Sequence, residues 1–113
     1  MSEELVLTIM GECHPSLNKY ERNVWAEQDK ALDDWKWIIR LAIGKNYGKT
    51  GKFSSMLVEY YFNDPFPRDR VNFEPLYIKN GLELWGMVPP VVEVEWKIVN
   101  GAVEKKTVIT LRR

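Results

Sequence analysis

The stretch that decides the fold is "VVEVEWKIVNGAVEKKTVITL", residues 91–111. Apolar and charged residues alternate through its first half, as they do in a strand with one buried face. The second half ends in "TVITL", residues 107–111, which is rich in β-branched side chains. Between the two halves, Asn100 and Gly101 form a dipeptide that is typical of tight hairpin turns. The segment therefore predicts two antiparallel strands joined as a hairpin.

Two further strands are predicted upstream. "LVLTIM", residues 5–10, is a short apolar run rich in β-branched residues, and we expect it to be a central strand. Residues 54–62 alternate, with Met56, Val58 and Tyr60 on the side expected to be buried. The chain thus has strands before and after its central helical region.

Two helices are predicted from apolar residues at helical spacing. The first covers about residues 22–44, with Trp37 outside its apolar face and therefore expected at the surface. The second begins within residues 72–75 and ends at Gly86. Gly81 lies inside this helix, where glycine is unfavourable, so we expect a close approach to another element there.

The predicted order is β-α-β-α-β-β, which indicates a single α+β domain over residues 1–113 with a mixed sheet and its helices packed on one face. Cys13 is the only cysteine, so no intrachain disulfide can form. The acidic N-terminus does not look like a signal peptide, and no apolar run has the length that a membrane span needs. We therefore expect a cytoplasmic protein.

The charge is balanced overall but uneven along the chain. Sixteen Lys and Arg residues offset sixteen Asp and Glu residues, whereas residues 36–70 contain seven basic and three acidic residues. "IGKNYGKT" lacks the glycine spacing of a phosphate-binding loop and follows a helix instead of a strand. Its lysines Lys45 and Lys49, together with Lys52, are candidates for contacts with nucleic-acid phosphates, although a solvated turn would have the same composition.

Several short motifs occur in a fixed order. "HPSLNKY", residues 14–20, follows the first strand, and "RDRVN", residues 68–72, follows the second. "IKNGLELWGMV", residues 78–88, covers the second helix and leads to the final strand pair. This succession resembles the RusA-type Holliday junction resolvases, which are small dimeric endonucleases often encoded by phages and prophages. The resemblance covers almost the whole chain and implies a RusA-like fold.

The resemblance also implies where the catalytic carboxylates should be. The family has an Asp-x-Asp-Asn motif, of which Asp69 and Asn72 are present here while Val71 occupies the second aspartate position. In the turn after the second helix, Pro89 and Pro90 stand where the family has aspartate. Neither valine nor proline offers a side-chain oxygen to Mg²⁺. These departures predict a nuclease centre that is impaired or lost.

Three functions remain open at this point. The first is a homodimer that binds branched or otherwise structured DNA without cleaving it. The second is an active endonuclease that uses Mg²⁺ or Mn²⁺ held by Asp69 with Glu74, Glu93 or Glu95. The third is a non-catalytic protein-interaction domain on the same scaffold. For the first, the expected phosphate contacts come from Lys45, Lys49, Lys52, Arg68 and Arg70.

Overall fold

A computed structural model describes residues 4–11, 25–47 and 53–113 of the chain. The strands are β1 (Glu4–Met10), β2 (Ser55–Tyr61), β3 (Glu93–Val99) and β4 (Lys106–Arg112). The helices are α1 (Trp25–Ile43) and α2 (Leu76–Leu84), and short 3₁₀ helices occupy Gly44–Asn46 and Arg70–Phe73. None of the described helices combines the length and apolar character that crossing a membrane requires.

The four strands form one mixed sheet in the order β1-β4-β2-β3. β4 runs antiparallel to both β1 and β2, whereas β2 and β3 are parallel. The parallel pair arises because the chain returns to the same end of the sheet through α2 before β3 begins. The prediction of a small α+β domain with a mixed sheet is therefore confirmed.

The predicted hairpin of β3 and β4 is wrong, because β2 lies between these two strands. Asn100 and Gly101 do turn the chain, and Gly101 has a φ of 73°. The turn wraps around the end of β2, where the Gly101 N–H donates to the Asp64 carbonyl and the Ala102 N–H donates to the Phe62 carbonyl. Alternation identified both strands, but it carries no information about which strand each one pairs with.

β1 was expected at the centre of the sheet, and this expectation is also wrong. Among the described strands β1 pairs only with β4, so it lies at an edge. Its outward side chains Val6 and Met10 are 51% and 54% exposed. An apolar, β-branched run fits a pleated surface wherever that surface lies, and the run therefore does not fix the position of the strand in the sheet.

Both helices pack against one face of the sheet. The buried side of β2 consists of Met56, Val58 and Tyr60, as the alternation predicted. Ile39 of α1 and Ile78 of α2 are fully buried in the same core. The opposite face carries charged side chains and has no helix among the described elements. The helices therefore cover one face of the sheet, and the residues at their ends lie on that side of the domain.

Gly81 is a point of close approach between α2 and α1. A Cβ atom built at Gly81 would lie 3.0 Å from Cγ1 of Ile39 and 3.2 Å from its Cβ. Glycine therefore allows the two helices to approach each other, which confirms the close contact expected from the sequence. The contact lies between Ile39 of α1 and Gly81 of α2, four residues before Trp85.

Candidate functional site

Arg68 belongs to a corner that connects the end of β2 to the turn after β3. Its guanidinium donates to both carboxylate oxygens of Asp64 at 2.8 and 2.7 Å and to Oδ1 of Asn100 at 2.9 Å. It also lies 3.6 Å from the centre of the Phe62 ring. The hydrogen bonds from Arg68 are the main reason why the pKa of Asp64 is lowered. Arg68, which the sequence predicts to contact phosphate, therefore links two loops of the protein itself through Asp64 and Asn100.

Asp69 starts the 3₁₀ helix Arg70–Phe73. Its carboxylate accepts a hydrogen bond from the Val71 backbone N–H at 3.1 Å. This is the usual task of an aspartate at the start of a helical turn. Val71 itself is 66% exposed, so its apolar side chain occupies a surface position where the resemblance implies a carboxylate. The side chain of Asn72, the last residue of the Asp-x-Asp-Asn motif, lies outside the described part of the structure.

Arg70 forms a reciprocal pair with Trp96 on β3. Its Nε donates to the Trp96 carbonyl at 2.8 Å, and the Trp96 indole N–H donates to the Arg70 carbonyl at 2.7 Å. The guanidinium lies 4.1 Å from the Trp96 ring centre. Its two terminal nitrogens have no partner among the described residues, so Arg70 presents donors at the surface. Unlike Arg68, it can meet an anion without breaking an ion pair.

Among the described residues, the acidic side chains predicted to complete a metal site do not form a group of three with Asp69. Glu74 ends the 3₁₀ helix and is exposed. Glu93 and Glu95 alternate with Trp96 along β3, so they project from the sheet face opposite to the one against which Arg70 packs. Across residues 4–11, 25–47 and 53–113, no group of three His, Cys, Asp or Glu side chains could hold a metal ion. The described residues therefore offer no group of three such ligands, and magnesium binding at Asp69 stays a prediction.

A second surface lies along the C-terminal half of α1 and at the C-terminal end of α2, and it is built from aromatic rings. Trp85 follows α2, and its indole N–H donates to the Lys36 carbonyl on α1 at 2.9 Å. Trp37 lies 5.4 Å from Trp85, and Tyr47 lies 6.0 Å from it on an edge-on ring contact, measured between ring centres. Trp37 and Tyr47 remain 52% and 45% exposed. The anchored ring thus supports two rings that face solvent.

Two cations lie over these rings. The Arg40 guanidinium is 4.2 Å from the Tyr47 ring centre and 5.9 Å from that of Trp85. The Lys36 ammonium is 5.3 Å from the Trp37 ring centre and also pairs with Asp33 at 2.9 Å. Arg40 has no carboxylate partner among the described residues. We call this surface the aromatic-cation patch, and its members are Lys36, Trp37, Arg40, Tyr47 and Trp85.

The predicted basic loop continues from this patch. Lys45 is exposed in the 3₁₀ helix Gly44–Asn46, two residues before Tyr47. Lys49 and Lys52 lie outside the described residues, so their contacts stay predictions. Lys45 is therefore the member of the predicted basic loop whose exposed position near Tyr47 the structure describes.

The sequence contained part of the signal for the aromatic-cation patch. Trp37 was expected to be exposed, and the structure confirms this. The helical spacing of Ile78, Leu82 and Trp85 predicts that Trp85 is on the buried side of α2, whereas it is only partly buried and reaches α1 through its indole N–H. Helical periodicity places a residue on a face of its own helix, but it does not reveal contacts with a neighbouring helix end.

Comparison with known proteins adds no family assignment. A scan against models of protein families found no match, and a search of curated proteins found none either. Conclusions about function therefore depend on the residues and contacts of this chain.

Proposed function

We propose that this protein binds structured or branched DNA through its phosphates, on a RusA-like fold whose metal-dependent nuclease activity is impaired or lost. The observation that carries the proposal is the aromatic-cation patch with Lys45 beside it. Arginine and lysine next to aromatic rings are the usual components of a surface that binds nucleic acid without reading sequence. In the RusA-like reading the protein acts as a homodimer.

The balanced charge of the chain bears on affinity. With sixteen basic and sixteen acidic residues, binding depends on a local surface and not on a global attraction. The cations available for phosphate contacts are Arg40, Lys45 and Arg70, with Lys49 and Lys52 as predicted members. Arg68 is a weaker candidate because its guanidinium is held by Asp64 and Asn100. We therefore expect modest affinity that falls steeply with salt.

A mobility-shift assay with a four-way junction and a linear duplex at low salt tests the proposal. We expect a retarded junction complex with the wild-type protein. Lys45→Ala should reduce the slope of log affinity against log salt by about 0.9, the value for one lost contact with a duplex phosphate. Lys97→Ala is the matched control, because Lys97 pairs with Glu59 on the sheet face opposite to the helices. If the wild-type protein retards neither DNA, the proposal fails.

Cleavage is tested separately with the same junction in Mg²⁺ or Mn²⁺. We expect no product with either ion, because no three of the described acidic residues form a group that could hold a metal ion. Specific product that disappears in Asp69→Asn would instead support the active endonuclease.

A protein-interaction domain is the second candidate, and one observation favours it. A groove of about 380 Å³ between α1 and α2 is lined by Leu32, Gly81 and Leu84 next to the patch. Leu84 is 57% exposed, so the groove offers apolar surface. The absence of DNA binding together with capture of a defined partner would favour this candidate.

A further inference from the structure

We infer that the aromatic-cation patch holds an unpaired nucleobase, so that the preferred ligand is single-stranded DNA or the open branch point of a junction. The inference rests on the proposed DNA-binding function and names the form of DNA that the patch selects. It depends on three observations: two half-exposed rings, a third ring that holds them, and cations on the ring faces.

Trp37 and Tyr47 are exposed aromatic rings held by a third ring. Trp37 and Tyr47 expose 52% and 45% of their surface although each contacts Trp85. Trp85 is fixed to α1 by its bond to the Lys36 carbonyl, and Gly81 holds α2 close to α1. The exposed rings therefore stand on a rigid support, which limits the entropy lost when a flat ligand stacks on them.

The cations of the patch, Lys36 and Arg40, favour a ligand that carries negative charge. An apolar partner covering the patch would take Arg40 out of water without offering it an anion, and burying an unpaired charge is costly. A nucleotide supplies both requirements, because its base has a π-face for Trp37 or Tyr47 and its phosphate is an anion for Arg40 or Lys45. The charge of the patch therefore favours nucleic acid over an apolar peptide.

The aromatic rings also distinguish paired from unpaired DNA. In a duplex each base is covered above and below by its neighbours, so only its edges and the phosphates are accessible. Ring-on-ring stacking needs a base that has left the stack or was never in one. A duplex can thus contact the lysines and arginines, whereas only an unpaired base can also use Trp37 and Tyr47.

The test compares dye-labelled oligothymidylate with a perfect duplex of equal length by fluorescence anisotropy. Trp37→Ala should weaken binding of the single strand by about 5-fold to 150-fold, the range for loss of one base-aromatic stack. It should leave duplex binding nearly unchanged, and it should leave the salt dependence unchanged because no charge is removed. Trp37→Phe keeps a ring and should restore most of the affinity for the single strand.

Phe66→Ala is the matched control for exposed aromatic surface. Phe66 is 68% exposed and follows the end of β2. The patch includes Trp85, two residues before Met87, whose carbonyl accepts a hydrogen bond from the Phe53 N–H just before the start of β2. The two sites are therefore at opposite ends of the sheet. We expect Phe66→Ala to bind the single strand as the wild-type protein does. Thermal unfolding of each variant checks that the domain is folded.

The outcomes separate this inference from the proposed function. If the wild-type protein binds junctions while Trp37→Ala binds the single strand with wild-type affinity, the inference is overturned and DNA binding stands. An equal loss for duplex and single strand would also overturn it, because stacking would then not be the cause. If the wild-type protein binds no DNA at all, the proposed function fails first. A patch that recognises a protein would give wild-type DNA affinity in Trp37→Ala.

Discussion

Substituting Gly81→Ala tests whether the contact between the two helices is as tight as the structure indicates. Two opposing effects decide the result. Alanine at an interior helix position is favoured over glycine by about 1 kcal/mol. The new methyl group, however, would lie 3.0 to 3.4 Å from three carbons of Ile39. Ile39 is fully buried and β-branched, so it cannot rotate away without disturbing the core.

The size of each effect gives the expected sign. Extra volume in a packed core costs about 1 to 3 kcal/mol, which exceeds the helix-propensity gain over most of that range. Subtracting the helix-propensity gain of about 1 kcal/mol from the packing cost of about 1 to 3 kcal/mol leaves a net cost of about 0 to 2 kcal/mol. We therefore expect Gly81→Ala to lower the free energy of unfolding by about 1 kcal/mol, the middle of that net range. For a domain of this size the melting temperature should fall by about 4 °C. Urea unfolding followed by tryptophan fluorescence measures the change.

Two further variants isolate the cause. Asn80→Ala changes an exposed neighbour in the same helix and should stabilise the protein by about 0.5 kcal/mol through helix propensity alone. Ile39→Ala removes the two γ-carbons that the new methyl group would meet, so Gly81→Ala should cost less in that background. If Gly81→Ala stabilises the wild-type protein by as much as Asn80→Ala or more, the helices are not in tight contact and the reasoning is refuted.

Three other predictions follow from single side chains. Arg68 lowers the pKa of Asp64, so the stability that ionised Asp64 provides is complete above its ordinary pKa of 3.8. This stability is lost as pH falls through the lower pKa of the folded state. In acid unfolding, the stability difference between wild type and Asp64→Asn should therefore shrink as pH falls below 3.8. The hydrogen bond to Glu59 raises the pKa of Tyr61, so the stability that the protonated phenol provides is complete below pH 10.0 and is lost as pH rises through the higher pKa of the folded state. A titration of phenolate absorbance in the wild-type protein and in Tyr61→Phe should show this late ionisation. Val71→Asp places a carboxylate at an exposed position, so stability should change by less than about 0.5 kcal/mol and Mg²⁺-dependent junction cleavage should stay absent; cleavage by this variant would mean that one carboxylate was all that the centre lacked.

Much of the fold could be predicted because its signals are local. Alternation marked β2, and the glycines at positions 44 and 86 marked the helix ends, where both have positive φ angles. The pairing of β3 was not predictable in the same way. The Asn100-Gly101 signal reports a turn of the backbone, but β2 inserts between β3 and β4 through contacts distant in sequence. Local patterns therefore fixed the elements, and long-range pairing fixed their order in the sheet.

The candidate site follows the same division. The sequence indicated correctly that Trp37 would be exposed, and Lys45, whose phosphate contact stays a prediction, is exposed as well. It could not indicate that Trp85 would cross to α1, because that contact joins residues 49 positions apart. It also treated Arg68 and Arg70 as equivalent cations of one loop. The structure distinguishes them, because the Arg68 guanidinium is paired with the Asp64 carboxylate. The Arg70 guanidinium lies over the Trp96 ring, and its two terminal nitrogens have no partner among the described residues.

Asp69 shows why an isolated motif residue is weak evidence for catalysis. Its carboxylate accepts the Val71 N–H and so supports the start of a 3₁₀ helix, a role worth about 1 kcal/mol at helix starts. The fold can thus retain this aspartate without any metal. Asparagine also caps helical turns well, so Asp69→Asn removes the charge while it keeps an oxygen for the Val71 N–H. Any loss of cleavage in Asp69→Asn would consequently reflect lost metal binding and not a disrupted loop, which makes that variant the correct control for the nuclease alternative.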